Sequence, residues 1–597
     1  MQIFSVKFKQ YGGIDYACAF PGNREVGCQK KMYLVTFIPL LRVLMNKYTY
    51  VFLIVLSAHI PRCAVGHPLD GQSHRPKLVV EIVLDQVPYD YLARFQPYFC
   101  DSGFTYLLRR GADFTNAQYG YAYTKTAPGH AAIATGTYSD LSGIVGNRWY
   151  DRQRKKAYDS VDDDSVSMVG ANGKGRSPHW LMVSSLGDML RRTTHSRSKV
   201  ISISNKDRSA IMLAGKSGTA YWIEDSTVVT STYYMAALPS WVREFNESGI
   251  FRRNFGNWWR ELQPDVAASI CDVDDAPYEA DVPGFGKAFP HHIVGNDSLH
   301  LTSSYLEALD TSPFSTEILL ELARRAFLQE SLGVRGVTDM LCIGVSATDI
   351  VGHAFGPNSH EVFDNMLRTD KMIAEFLAFL EQRIGLDNCL IVVSADHGIA
   401  PIPEYKMKES PDVRTARISS KEITARATRA LDHAFGQSSA SWVAQTIDGQ
   451  IYLNKNAVKE KGLSLQKIRS VLKDSLTDSF PIDKAYTADE LLKEHDDGCF
   501  CERVKRSFYP SRSGDILILV KPFSIIDSAP TGTNHGMPYT YDAHVLLILA
   551  GKGVRQGVYN DAVSPIDIAP TLAALLGIEA PPQCEGKVLD EAITITK

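Results

Sequence analysis

The stretch KLVVEIVLD, Lys77–Asp85, is an almost unbroken run of apolar and β-branched residues that ends in a carboxylate. Continuous apolar sequence of this length predicts a strand buried on both faces, as the strands of parallel sheets are. Four later stretches have the same composition: Val200–Ser204, Met340–Val345, Cys389–Ser394 and Val545–Ala550. Helical patterns alternate with these stretches. The sequence therefore predicts an α/β fold with a mostly parallel central sheet and helices on both faces.

The bulk composition is ordinary for a globular protein, with 45% hydrophobic and 22% charged residues among 597. The formal net charge of −4 gives no general attraction to nucleic acid, so we expect no nucleic-acid partner. Three stretches break the alternation of strands and helices: residues 147–197, 221–309 and 404–531. The first two are rich in loop-forming residues, and their six tryptophans lie among polar neighbours. We predict that all three are insertions that form a cap over the functional site.

Six potential metal ligands occur where the apolar strands end or in the loops that follow. They are Asp85, Asp349, His353, Asp396, His397 and His535. Three carboxylates and three imidazoles suit two zinc ions with three protein ligands each. Open α/β sheets bind ligands at the carboxyl ends of their strands, so the positions of the ligands agree with the predicted fold. A two-metal site of this kind supports in-line displacement at phosphorus.

Two of the ligand pairs are close in sequence. Asp349 and His353 are four residues apart, so on a helical turn both side chains lie on one face. Asp396 and His397 are adjacent and would point apart on a regular strand, so a metal could use both only where the chain turns at Gly398. Each pair taken alone is equally compatible with a structural hydrogen bond.

A nucleophile candidate, Thr126, lies in TKTAPGHAAIATG. Pro128 follows it closely and predicts the first turn of a helix. A hydroxyl there would lie beside free backbone N–H groups and the positive end of the helix, which favour a phosphate and an alkoxide. An ordinary N-cap is the alternative role, and the two roles are compatible. Threonine requires a metal to act as a nucleophile near neutral pH.

These segments together resemble the alkaline phosphatase superfamily, in the branch that contains nucleotide pyrophosphatases/phosphodiesterases and the Thr-nucleophile, PafA-type alkaline phosphatases. The resemblance extends from Asp85 to SPIDIAPTLAALLGI, Ser564–Ile578, and implies an alkaline phosphatase-like fold. It implies one zinc held by Asp349, His353 and His535, and a second held by Asp85, Asp396, His397 and Thr126. It also implies that Thr126 forms a covalent phosphothreonine. The first zinc would then stabilise the leaving group and activate water.

Three further residues match family motifs that govern substrate choice. Asn147, in SGIVGNRWYD, matches an asparagine that donates to a phosphoryl oxygen, and Lys206 and Arg208, in SISNKDRSAIMLAGK, match the Lys-x-Arg pair of the monoesterases. Two cations and an amide suit the additional charged oxygen of a phosphate monoester. The alternative for Lys206 and Arg208 is a pair of surface charges after a strand. His130, in the same motif as Thr126, is expected to be structural.

The resemblance implies a zinc-dependent phosphate monoester hydrolase, an alkaline phosphatase with two Zn²⁺ per chain that acts on small-molecule phosphate esters. The segment TAPGH lacks the Cys/Ser and Arg of the sulfatase motif, which argues against sulfate esters. Two alternatives remain open: a phosphodiesterase or nucleotide pyrophosphatase on the same scaffold, and a non-catalytic phosphate- or glycan-binding surface protein. Manganese or iron could occupy some of the metal positions. We expect a monomer.

The N-terminal sequence predicts export. Tyr48–Ala58, YTYVFLIVLSA, is an apolar run of signal-peptide length that follows Met45 and Lys47 and precedes small residues. We expect a signal peptide at 45–66, translation from Met45, no structural role for residues 1–44, and a catalytic domain at 67–597. The run is too short for a membrane span. The protein is therefore expected to be periplasmic or secreted, with an uncleaved membrane anchor as the alternative.

Export implies an oxidising compartment in which disulfides can form. Cys342 and Cys389 lie in predicted buried strands and are expected to be core residues. The sequence leaves open the pairing among Cys100, Cys271, Cys499, Cys501 and Cys584. The odd number of cysteines after the signal peptide predicts at least one free thiol.

Overall fold

The computed structural model describes residues 75–477, 479–493 and 499–594, except for the side chain of Cys499. The predicted signal peptide and residues 1–44 lie outside the described residues. Within those residues, no helix combines the length and the apolar character that a membrane crossing requires.

The core of the fold is an eleven-stranded sheet. In spatial order its strands are Gly557–Tyr559, Ala112–Phe114, Leu547–Gly551, Cys389–Ser394, Leu78–Leu84, Asp339–Val345, Val200–Ser204, Thr219–Glu224, Thr227–Ser231, Asp162–Val169 and Lys174–Arg176. The five strands from Cys389–Ser394 to Thr219–Glu224 are parallel to one another. Antiparallel pairings flank them on both sides. The α/β fold is thus confirmed, although the sheet is mixed rather than mostly parallel.

Both faces of the sheet are covered, as the apolar pattern of Leu78–Leu84 predicts. Alternate residues of this strand belong to two different apolar clusters. One cluster includes Ile373 and Phe376 of the helix His360–Ile384, and the other includes Ile568 and Leu572 of the helix Ile568–Leu576. The other helices of eight or more residues around this sheet are Thr126–Thr135, Leu186–Thr193, Asp207–Ala214, Ser240–Glu247, Ser303–Asp310, Phe314–Gln329 and Ala347–Phe355.

One predicted strand runs in the opposite direction to that expected. The stretch predicted at Val545–Ala550 forms Leu547–Gly551, which is antiparallel to Cys389–Ser394. A continuous apolar run shows that a strand is buried on both faces, but it carries no information about direction. The expectation of a parallel strand is therefore wrong here.

The first two predicted insertions, 147–197 and 221–309, are not wholly separate from the sheet. Three of their strands extend it at one edge: Asp162–Val169, Lys174–Arg176 and Thr227–Ser231.

The tryptophans of these two stretches differ in burial. Four are buried, Trp149, Trp222, Trp241 and Trp259, whereas Trp258 is exposed. The expectation that these tryptophans lie in loop-rich segments outside the core is wrong for the four buried ones. A large indole ring packs against residues distant in sequence, so the polarity of its sequence neighbours does not predict its burial.

The third stretch, 404–531, contains a second sheet with its own core. Its strands, in spatial order, are Val443–Ile447, Gln450–Leu453, Ile516–Val520 and Ile482–Thr487. The helices Ser420–Phe435 and Leu465–Leu476 pack against this sheet through an apolar cluster that includes Leu431, Leu472 and Ile518. Several hydrogen bonds join this body to the loops that carry predicted site residues, among them those from Tyr123 Oη to Ile518 O at 2.9 Å and from Gln450 Nε2 to Val145 O at 3.2 Å.

Cys342 and Cys389 are fully buried in strands, as predicted. Cys100, Cys271 and Cys584 form no disulfide with one another or with these two in the part of the chain that the structure describes. The pairing that involves Cys499 falls outside the described residues.

Candidate active site

The six predicted metal ligands lie together at the carboxyl end of the central parallel strands. Asp85 directly follows Leu78–Leu84, and Asp396 and His397 follow Cys389–Ser394. Asp349 and His353 lie one turn apart on the helix Ala347–Phe355, which begins two residues after the strand Asp339–Val345. His535 is in the loop that precedes the short helix Thr540–Ala543, which comes before the strand Leu547–Gly551. Parallel strands end at the same edge of a sheet, so ligands distant in sequence become neighbours there.

Asp85, Asp396 and His397 form one group that could hold a metal ion. His397 Nε2 lies 3.4 Å from both Asp85 Oδ1 and Asp396 Oδ2. All three atoms are buried. No hydrogen-bond partner is found for Asp85 Oδ1 or His397 Nε2 among the described residues, whereas Asp396 Oδ2 also lies 3.1 Å from His130 Nδ1. An unsatisfied buried polar atom costs about 1–3 kcal/mol. Since a cation would satisfy all three atoms at once, the donor set fits a metal.

Asp349, His397 and His535 form a second such group, so His397 is shared between the two. The resemblance assigns His353 to this group instead of His397. His353 lies beside it, with Nε2 3.2 Å from Asp349 Oδ1, while His535 Nε2 lies 3.8 Å from the same oxygen. The His397 and His535 rings are stacked with centroids 3.6 Å apart.

The three imidazoles are all oriented by main-chain carbonyls. Nδ1 of His353, His397 and His535 lies 2.7, 2.9 and 2.6 Å from the carbonyl oxygens of Thr533, Gly398 and Thr124, respectively. A carbonyl oxygen only accepts, so in each ring Nδ1 carries a proton, and whenever the ring is neutral Nε2 keeps its lone pair. All three Nε2 atoms face the carboxylates, which is the tautomer and orientation that metal ligation requires.

The electrostatics of the site favour the neutral, ligating form of two of the three imidazoles. Burial lowers the pKa of His397 to about 4 and the pKa of His535 well below its usual value, so both rings are neutral near pH 7. Burial by itself would lower the pKa of His353, but Asp349 raises it. Burial and the charge of Asp85 raise the pKa of Asp396. Burial alone would raise the pKa of Asp349, but His353 and Lys206 hold it well below the usual range. Crowded carboxylates of this kind are stabilised by a cation.

Lys206 lies between the two metal-ligand groups. Its Nζ donates to Asp85 Oδ2 at 2.6 Å and also to Asp349 Oδ2. The resemblance assigns this ammonium to a phosphoryl oxygen, but in the structure it contacts two carboxylates, the nearest strong negative charges. Lys206 is therefore not a solvated surface charge.

Thr126 is the first residue of the helix Thr126–Thr135 and is almost fully buried. The N-cap is Lys125, so the alternative role of Thr126 as an N-cap is wrong. Asn147 Oδ1 accepts a hydrogen bond from Ala127 N at 2.8 Å, which places Asn147 at the start of this helix. Because its carbonyl oxygen is used in this way, the amide nitrogen of Asn147 remains a donor for an oxyanion.

The helix is packed closely against the turn that carries a metal ligand. A Cβ added at Gly129 would lie 2.2 Å from Asp396 O. Only glycine allows this approach of the Thr126 helix to Asp396. His130, on the same helix, has Nδ1 2.9 Å from Thr126 O and 3.1 Å from Asp396 Oδ2, which fits its expected structural role.

Arg208 lies in the first turn of the helix Asp207–Ala214. Its side chain is 29% exposed, and its Nη1 is 3.9 Å from Asp207 Oδ1. That carboxylate is also approached by Arg176, whose Nε lies 3.0 Å from Asp207 Oδ2. No hydrogen-bond partner of Arg208 Nε is found among the described residues. The guanidinium thus retains donors for an oxyanion.

Two residues that the sequence analysis did not select support the ligands. Gln86 Nε2 donates to Asp349 Oδ1 at 2.7 Å, and Gln86 N donates to Asp396 Oδ1 at 3.1 Å. Lys125 Nζ donates to His535 O at 2.7 Å. Each lies directly beside a predicted site residue in the sequence, and this adjacency is the one signal that could have identified them. Their contacts are made across the fold.

Comparisons with known proteins agree with this geometry. The family model for type I phosphodiesterase/nucleotide pyrophosphatase matches residues 79–540. Alkaline phosphatase PafA of Elizabethkingia meningoseptica is 33% identical over 87% of this chain and 95% of its own length. Alkaline phosphatase PhoV of Synechococcus elongatus is 33% identical over 87% of this chain and 93% of its own. The crystal structure of PafA, at 31% identity, superposes with a TM-score of 0.81 over 87% of this chain and 99% of that one.

The matches cover most of this chain and nearly all of the relatives. The chain belongs to the type I phosphodiesterase/nucleotide pyrophosphatase family and, within it, to the PafA-type alkaline phosphatases.

Proposed function

We propose that the chain is a zinc-dependent alkaline phosphatase that hydrolyses small phosphate monoesters through a phosphothreonine at Thr126. One arrangement supports the proposal. Two buried ligand groups share His397, and the start of the Thr126 helix packs against the Asp396 turn beside them. Five curated relatives match most of the chain: four are named alkaline phosphatases, which favours monoesters over diesters, and one is named a calcium-transporting ATPase.

We assign some residues of the site to metal binding and others to phosphate binding. Asp349, His353 and His535 would hold one zinc, and Asp85, Asp396, His397 and Thr126 would hold the other. Zinc bound there would supply Lewis-acid stabilisation of the negative oxygens. The oxygen of Thr126 attacks phosphorus from the first turn of its helix, where the helix dipole and free N–H groups favour negative charge.

The donors around Thr126 fit a phosphate dianion. The Asn147 amide lies at the start of the Thr126 helix, and the Arg208 guanidinium has uncommitted N–H groups. Lys206 adds a buried cation between the ligand carboxylates. Charge-assisted hydrogen bonds from such groups strengthen as charge develops on the phosphoryl oxygens. A diester has one charged oxygen fewer and would gain less from them.

Steady-state assays on p-nitrophenyl phosphate and its bis-ester test the proposal. Thr126→Ala should abolish monoester turnover, whereas Thr135→Ala, a matched change on the same helix, should retain it. Lys206→Ala/Arg208→Ala should lose monoester turnover and keep the weaker diester turnover. Dominant bis-ester hydrolysis by the wild type would identify a phosphodiesterase instead, and full activity of Thr126→Ala would exclude Thr126 as the nucleophile.

Metal analysis of the purified protein tests the cofactor. We propose two zinc ions per chain, because the donor set contains three carboxylates and three imidazoles whose Nδ1 atoms are held by main-chain carbonyls, so that Nε2 of each neutral ring can ligate. Two zinc equivalents that are lost together with activity in a chelator, and restored by zinc, are the expected result. A fully active protein that contains no zinc would contradict this assignment.

We also propose that the protein is exported and acts as a monomer. The apolar run Tyr48–Ala58 supports the proposal that the protein is exported. N-terminal sequencing of the mature protein should begin shortly after this run, and a mature start upstream of Met45 would contradict it. Light scattering of the purified protein should give the mass of one chain.

A further inference from the structure

A second polar cavity lies outside the candidate active site. It has a volume of about 470 Å³ and lies between the hairpin Arg148–Asp151/Lys156–Asp159 and the body of the second sheet. Five cationic side chains line it: Arg152, Arg154, Lys455, Arg469 and Arg512. Two carboxylates, Asp151 and Asp515, also line it, so its wall has a formal excess of three positive charges. We call it the arginine pocket.

The two carboxylates of the pocket already accept hydrogen bonds from arginine side chains. Asp515 is buried and accepts hydrogen bonds from both Arg152 and Arg469. Asp151 Oδ2 accepts from Arg154 Nη1 at 3.0 Å. Asp489, outside the wall, adds a second partner for Arg469 at 2.9 Å. These pairs account for three of the five cations.

Arg512 is the most unusual of the remaining cations because it is buried without a counter-charge. Its guanidinium donates to the carbonyl oxygens of Gly143 and Trp180, and it lies 5.2 Å above the ring of Trp149. None of the contacts that the structure shows for it in the described part of the chain is with a carboxylate. Burial lowers its pKa to about 10. A buried cation without an anion is costly, and an anion in the pocket would remove that cost.

Lys455 is the fifth cation. It is exposed at the start of the helix Lys455–Glu460, and no carboxylate partner is found for it among the described residues. Together with Arg154, it lies at the accessible side of the pocket, while Arg512 lies inside. Guanidinium groups bind phosphate oxygens with paired N–H donors, and several cations around one cavity select a multiply charged oxyanion.

We propose that the arginine pocket binds a phosphate group, carried either by free phosphate or by an organic phosphate, at a site distinct from Thr126. The pocket borders the segment that carries Asn147, since Arg512 donates to Gly143 O and Trp149 follows Asn147 by two residues. The proposal does not depend on hydrolysis, because the pocket contains none of the candidate metal ligands.

Titration calorimetry on the zinc-loaded, full-length protein tests the proposal. Tungstate serves as a probe for a free tetrahedral oxyanion, and phenylphosphonate as a probe for an organic phosphate that cannot be hydrolysed. The pocket variant is Arg154→Gln/Lys455→Gln, which alters two exposed side chains and should leave the fold unchanged. Lys371→Gln/Lys421→Gln, two exposed lysines away from the pocket, is the matched control. Lys206→Ala/Arg208→Ala removes cations of the active site.

The wild type and the control should show two binding events with at least one of the probes. The pocket variant should weaken one event about tenfold while keeping the KM for p-nitrophenyl phosphate. The active-site variant should lose the other event. Pocket binding of phenylphosphonate would identify an organic phosphate as the ligand, and binding of tungstate alone would identify the free ion.

A single binding event that only the active-site variant abolishes would overturn the proposal. Unchanged affinities in the pocket variant would also overturn it. Failure of the phosphatase assignment would look different, because pocket binding would persist in a protein that hydrolyses no phosphate ester.

Discussion

Replacing Lys206 with methionine tests the electrostatic account of the site. The Lys206 ammonium is 12% exposed and contacts a carboxylate of each ligand group, Asp85 and Asp349. Burial by itself would lower the pKa of Lys206, but the two carboxylates raise it, so the side chain is charged at neutral pH. Lys206→Met would leave both carboxylates buried without this cation.

The expected loss can be estimated from the burial of these groups. Removing one partner of a buried ion pair costs about 3–5 kcal/mol, because the remaining charge is uncompensated. For a chain of this size, that corresponds to a fall in Tm of about 3–5 °C. Zinc held by the same carboxylates would compensate their charge, so the loss should be much smaller in the zinc-loaded protein.

Thermal melting of the wild type and Lys206→Met, with chelator and with zinc, provides the assay. Lys199→Met is the matched control, because Lys199 pairs with Glu330 at 2.6 Å but is 35% exposed. Exposed pairs contribute at most about 1 kcal/mol. The reasoning is refuted if Lys206→Met melts no lower than Lys199→Met in the presence of chelator.

Three further predictions follow from packing, hydrogen bonding and burial. Gly129→Ala would place a Cβ 2.2 Å from Asp396 O, so zinc content and kcat should both fall; a variant with normal zinc content and normal kcat would contradict this close packing. Gln86→Leu removes the donor 2.7 Å from Asp349 Oδ1 and should lower kcat/KM or zinc affinity about 10–100-fold, whereas unchanged values would show that this contact is dispensable. Burial, then neighbouring acidic groups, raises the pKa of Glu279 to about 9, so its contribution to stability is present below its unfolded pKa and is lost as pH rises towards 9. Glu279→Gln should therefore raise Tm relative to wild type at pH values above about 9 but not near pH 5, and a pH-independent difference would contradict the shift.

The sequence predicted the part of the fold that depends on burial and strand position. Lys77–Asp85 identified the central strand, and the ligand-bearing segments pointed to the carboxyl edge where the structure brings the side chains together. The sequence could not predict strand direction, because Leu547–Gly551 is antiparallel to Cys389–Ser394 although both strands are apolar. The strand Asp162–Val169, next to the edge strand Lys174–Arg176, was missed for the opposite reason, since most of its residues are polar and most are not buried.

The contacts between the site residues were harder to predict from the sequence than the identities of those residues. The position of Lys206 between Asp85 and Asp349 depends on how three separate strand ends converge. The contacts of Gln86 and Lys125 likewise join residues far apart in sequence. Local patterns report helices, strands and candidate donors, whereas the partner of each donor is fixed by tertiary packing.

The most direct test of the central claim is to locate the phosphoryl group during turnover. Wild-type, zinc-loaded protein would be mixed with p-nitrophenyl phosphate, quenched in acid within the turnover time, digested and examined by mass spectrometry. The account predicts one phosphoryl group on the peptide that contains Thr126, and none in the Thr126→Ala variant. Phosphate on another residue, or rapid turnover with no phosphopeptide at any quench time, would contradict the assignment of Thr126 as the nucleophile.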